Sequence, residues 1–127
     1  MSKPVIEVFS NMHARGGEQF LVTDRFYRLR MSSGLVARLS AKDTPIKMYL
    51  GYDAANKRIA LGRPDVVTPT DAKPVTFDKS RHYAMIKRFI DKHQIPTERV
   101  RFVFDGTHEG WLMFRQESFD ATDRRGT

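Results

Sequence analysis

The chain has 127 residues with 40% hydrophobic, 29% charged and no cysteine, which suits one folded domain and excludes disulfides, thiolate metal sites and cysteine nucleophiles. Twenty-two Lys and Arg against fifteen Asp and Glu leave a net charge of +7, which favours polyanionic partners. Met1-Ser2-Lys3-Pro4 opens no signal-peptide core and no apolar run approaches the roughly 18 residues of a membrane span, so a cytoplasmic protein without a membrane partner is expected.

In chain order, Val5–Phe9 and Gln19–Val22 alternate as the strands of an N-terminal hairpin (residues 4–23), joined through the glycine-bearing loop Met12–Gly17. Phe26–Met31 reads as a strand on which Arg28 and Arg30 share one face while Tyr27, Leu29 and Met31 face the core. Leu35, Val36 and Leu39 form a short helical stripe over Ser33–Ser40, with Ser32 or Ser33 as cap and Pro45 ending the connector. Met48–Asp53 and Ile59–Leu61 then alternate as a hairpin across Ala54–Lys57.

After the Pro- and Thr-rich linker (residues 64–73), Val75–Phe77 reads as a strand and Ser80–His93 as a helix. That helix takes Ser80 as N-cap and Met85, Ile86, Phe89 and Ile90 as its stripe. Val100–Asp105 and Trp111–Met113 complete a second hairpin across a turn at Asp105–Gly110. The tail, residues 120–127, carries no apolar anchor.

The same order of elements occurs twice. Asp53 and Asp105 end comparable strands, at a spacing of 52 (105 minus 53), and the same shift carries Ile59–Leu61 onto Trp111–Met113 and Arg63 onto Arg115. The expected fold is therefore α+β, a β-rich single domain over residues 1–119. It consists of two diverged βαββ repeats (25–63 and 74–115) with pseudo-two-fold symmetry, plus the N-terminal β-hairpin.

Copy two, Pro74-Val75-Thr76-Phe77, Ser80–His93 and Gln94–Gly106, resembles the swapped-hairpin unit of AbrB-like and MraZ-like transcription regulators. Copy one matches as Tyr27–Met31, Ser33–Ser40 and Ile46–Leu61, while the N-terminal hairpin has no counterpart in the unit. The resemblance implies two interlocked units, from one tandem chain or from a homodimer, and arginines of a basic face gripping DNA. That role carries over first to Arg28, Arg30 and Arg38, whereas copy two offers Val75, Phe77 and Arg88 at the matching places.

Charge points to the same half. Residues 25–64 hold nine basic side chains and two acids, a net of +7, and the remainder sums to zero. The candidate DNA-binding residues are Arg25, Arg28, Arg30, Arg38, Lys42, Arg58 and Arg63. For Arg28 and Arg30 the competing reading is an edge strand protected from aggregation by its charge.

Tyr52, Phe89, Phe102, Phe104 and Trp111 fall at core positions. The histidines His13, His82, His93 and His108 lack the spacing of a zinc site and read as isolated exposed side chains, so neither cofactor nor catalytic residue is expected. The expected function is a non-enzymatic regulator that binds double-stranded DNA; the alternative is a protein-interaction module, an inhibitor or adaptor docking through a sheet edge.

Overall fold

The computed structural model describes residues 17–117. Among them run eight strands, β1 (Phe20–Thr23), β2 (Arg28–Met31), β3 (Ile46–Asp53), β4 (Arg58–Gly62), β5 (Val75–Phe77), β6 (Tyr83–Met85), β7 (Val100–His108) and β8 (Trp111–Gln116). Two helices accompany them, α1 (Ser33–Arg38) and α2 (Lys87–His93). Every ladder is antiparallel, and the strands lie in the order β5-β3-β4-β8-β7-β1-β2-β6. The outermost strands, β5 and β6, are consecutive in the chain. The turn that joins them is closed by Asp78 N donating to Tyr83 O (3.1 Å) and His82 N to Asp78 O (3.1 Å), so the sheet curls into a nearly closed barrel.

Period-two patterning dictates what the barrel encloses. Leu21, Leu29, Met48, Ile59, Leu61, Phe77, Phe102 and Phe114 point inward with no exposed surface, and α1 and α2 add Leu35, Val36 and Ile90 to the same core. A fully inward side chain at each strand buries roughly 1.5–3 kcal/mol of apolar transfer free energy, which outweighs the weak local propensity of helices this short. The polar side chains that enter this interior are satisfied. Thr23 Oγ1 donates to Pro96 O (2.7 Å), and Ser32 Oγ accepts from Phe20 N (3.0 Å) and Leu35 N (3.2 Å) while donating to Glu18 O (2.8 Å). Ser32 therefore caps α1 and anchors the entry to β1 at once.

Several sequence expectations are corrected. Residues 80–93 do not form one helix: Ser80 lies in the β5–β6 turn, Tyr83–Met85 is a strand, and α2 begins at Lys87 without a side-chain cap. The reason is Asp78, whose Oδ1 accepts from the backbone N–H groups of Ser80 (3.1 Å), Arg81 (2.7 Å) and His82 (2.9 Å) and fixes a turn where a helix would start. Met85, expected on the buried stripe, is 67% exposed.

Two strands, β5 and β6, thus precede α2 in place of one. The strand expected from Phe26 begins at Arg28, because Phe26 and Tyr27 belong to the β1–β2 turn and Tyr27 adopts a positive φ of 63°. The second hairpin turn is also shorter than expected. β7 runs on to His108 through a register shift between Phe104 and Thr107, leaving Glu109 and Gly110 to turn the chain.

Of the expected N-terminal hairpin, Val5–Phe9 lies outside the described residues, as do His13 and the tail 120–127. β1 is a central strand with both edges taken, by β2 and by β7. His82, expected to be exposed, is buried, with Nε2 2.9 Å from both Ala41 O and Thr44 O, tying the β5–β6 turn to the loop after α1.

Candidate nucleic-acid interface

The outward faces of β1, β2, β6 and β7 form one concave surface. Alternation sends Leu29 and Met31 into the core and Arg28 and Arg30 outward, as the sequence requires. The edge-strand reading of these arginines does not hold, since β2 sits between β1 and β6. Across the ladders Tyr83 lies opposite Arg30, and Arg101 opposite Val22. Together with Phe20, Arg25, Phe26 and Arg99 they line a cleft of about 1020 Å³.

The turn Asp24–Tyr27 sets one wall. Asp24 Oδ1 accepts from Phe26 N (2.9 Å) and Arg28 N (3.1 Å), and its Oδ2 takes the Arg28 Nε–H (2.9 Å). Partial burial raises the Asp24 pKa, but the N–H donors of Arg28 and Phe26 and the Arg28 guanidinium outweigh it, and the carboxyl titrates below its ordinary range.

The floor is layered. The Arg28 guanidinium lies 4.4 Å from the Tyr83 ring centre and 5.1 Å from that of Phe26, while Arg101 lies 4.2 Å from the Phe20 ring centre. Arg101 is held at its edges by Glu18 (3.0 Å) and Glu117 (3.4 Å); its buried Nε faces Glu117 without hydrogen-bond alignment. Arg25, Arg30 and Arg99 differ from these two, for they make no ion pair among the described residues, although Arg25 lies 5.2 Å from the Phe26 ring centre. Phe26 itself is 55% exposed.

The other candidates lie elsewhere. Arg38 hydrogen-bonds Gln19 Oε1 (3.0 Å) and covers the Phe104 ring at 4.5 Å, and Lys42 is exposed in the loop after α1. Arg58 is engaged by Asp53 (2.8 Å) and Asp105 (3.6 Å) on the β3–β4 and β7–β8 hairpins. Arg63 is half-buried at the end of β4, its carbonyl accepting from Val66 N and Val67 N. The fold therefore unites Arg25, Arg28 and Arg30 and leaves Arg38, Lys42, Arg58 and Arg63 out of the cleft.

Arg99 and Arg101 were missed because the chain outside residues 25–64 has no net excess of charge. Their signal was the spacing Arg99-Val100-Arg101 at the start of a strand, which puts Arg101 opposite in facing to Phe102. Phe20 and Phe26 were missed because an aromatic on an outward strand face or in a turn carries no periodic mark, and Tyr83, left unassigned between core and surface, was expected within a helix and lies on β6.

Among the described residues no three His, Asp or Glu side chains gather as a metal site would need, and no helix is long and apolar enough to cross a membrane. No family model, curated protein or solved structure matches the chain.

Proposed function

We propose that this protein is a non-enzymatic DNA-binding regulator whose contact surface is the arginine-lined cleft across β1, β2, β6 and β7. The observation that carries the reading is the convergence of Arg25, Arg30 and Arg99, without carboxylate partners among the described residues, around a floor of aromatic rings and guanidinium planes. Arginine in this setting serves phosphate as a forked donor, and its attraction is released steeply by salt. Duplex DNA, the partner expected from charge alone, is one arm of the test and a single strand the other. Anisotropy titrations of both at low salt should show binding that weakens as salt rises; no affinity for either would overturn the reading.

The proposal includes an architecture of two diverged copies. Exchanging β1 with β5, β2 with β6, β3 with β7 and β4 with β8 reproduces the ring of strands read backwards. The registers support the same exchange. A shift of 54 (100 minus 46) carries Ile46 onto Val100 and Thr23 onto Phe77, so the pair Ile46–Phe77 becomes the pair Val100–Thr23.

Leu29 faces Ala84 and Ala60 faces Met113, each residue opposite its own counterpart, which is where a two-fold axis would cross the sheet. Met31 N donates to His82 O and Ile86 N to Tyr27 O, a reciprocal pair, and Asp24 and Asp78 both cap turns. These shifts, 53 for Ala60 to Met113 and 55 for Leu29 to Ala84, replace the spacing of 52, which matched Asp53 to a residue inside the β7 irregularity.

Kinship with the AbrB-like and MraZ-like regulators is part of the proposal for β2–α1–β3–β4 and β6–α2–β7–β8, with β1 and β5 additional to that unit. On this reading the interlocking of two units occurs within one chain, and a homodimer would widen the contact with DNA rather than complete the fold.

A further inference from the structure

We infer that the cleft receives the unpaired bases of a single-stranded nucleic acid, which stack on its layered floor while Arg25, Arg30 and Arg99 hold the phosphates. The inference rests on the nucleic-acid reading above and names the form of the strand. Its ground is the division of labour among the arginines. Asp24 holds Arg28, and Glu18 and Glu117 hold Arg101, and each guanidinium lies over a ring, Arg28 over Tyr83 and Phe26 and Arg101 over Phe20, so that rings and guanidinium groups together make the floor. Flat surfaces of this kind, aromatic or guanidinium, are what an unstacked base lies upon.

A duplex has no use for such a floor, because its base faces are covered by their neighbours and only its phosphates and groove edges are offered. Reading a major groove about 12 Å wide takes a helix or a ribbon that projects into it. Here the arginines line a concavity on a sheet face, with Phe26, 55% exposed, at the lip. A flexible strand can enter a concavity and place bases on its floor, and the guanidinium groups of Arg25, Arg30 and Arg99 then meet the backbone that follows it.

Fluorescence anisotropy of the full chain with a labelled oligo-dT, an oligo-rU and a blunt duplex of equal length, at low salt, tests the inference. The single strands should bind more tightly than the duplex. Phe26→Ala should weaken them by about 5- to 150-fold, the loss of one base stack, while changing duplex binding less than about twofold. Phe26→Trp should restore the single-strand affinity, and because Phe26 lies in an exposed turn its variants leave the core intact. The dT and rU arms distinguish DNA from RNA as the source of the strand. A duplex bound at least as tightly as either strand, with Phe26→Ala without selective effect, overturns the inference and leaves the DNA-binding reading standing. Absence of binding to all three probes overturns both.

Discussion

Replacing Arg25, Arg30 and Arg99 together by Gln removes the three cleft cations that have no ion pair among the described residues. Each phosphate contact to a single strand contributes about 0.7 to the slope of log affinity against log salt. Three contacts therefore account for a slope of about 2, and between 1 M and 0.1 M salt for roughly 100-fold in affinity. The triple variant should bind an oligonucleotide roughly 100-fold more weakly at 0.1 M, with its slope shallower by about 2. Anisotropy at four or five salt concentrations measures both quantities.

Arg58→Gln and Arg63→Gln are the controls. Arg58 is occupied by Asp53 and Asp105 on the hairpins, and neither residue lines the cleft. A triple variant that keeps the parent slope, or an Arg58 or Arg63 variant that lowers it equally, would refute the assignment of the interface to this face.

Three further outcomes concern the frame that holds the cleft. Gly62→Ala would push a Cβ into Val67 Cγ2 and within 3.0 Å of the Trp111 ring, so urea denaturation should show a loss of about 1–3 kcal/mol from overpacking. Phe77→Ala empties a fully buried site on β5 and should cost about 3–5 kcal/mol, read the same way. Asp24 and Asp78 both titrate below their ordinary value of 3.8, Asp78 chiefly through the Arg81 N–H. Being depressed in the folded state, they contribute stability that is fully present above that value and is lost as pH falls through their lowered folded values. Thermal melts between pH 2 and 6 should decline below about pH 4, and Asp24→Asn with Asp78→Asn should flatten that decline.

The strands were legible where burial enforces alternation. Leu29 and Met31 against Arg28 and Arg30 gave β2 its faces, and Phe102 gave β7 its inward side. What failed was the segment 78–86. There Met85, Ile86, Phe89 and Ile90 have helical spacing, yet the Asp78 carboxylate collects three backbone N–H groups and Tyr83–Met85 completes the sheet beside β2. Periodicity registers the apolar residues but not a side chain that competes for the backbone, and the partner strand that rewards β6 is remote in sequence. The same remoteness hid half of the cleft. Charge counted along the chain credited residues 25–64 and discounted the region of Arg99 and Arg101, because acids elsewhere in the chain cancel them in the sum, whereas in space Glu18 and Glu117 meet Arg101 and Arg99 makes no ion pair among the described residues.

The strand order explains why the site needs both halves of the chain. β1 lies between β2 and β7, so Arg30 and Arg101, far apart in sequence, stand on strands only two spacings apart, roughly 10 Å. The first half of the chain contributes the Asp24 turn, Phe26 and Arg28; the second half contributes Tyr83, against which Arg28 lies, and the Arg99–Arg101 segment. Tyr83, one of the two rings against Arg28, reaches it because β6 pairs with β2. Arginines and rings that stand far apart along the sequence, Arg28 with Tyr83 and Arg101 with Phe20, become neighbours on one surface, and on the proposed reading that layering is what a base would lie upon.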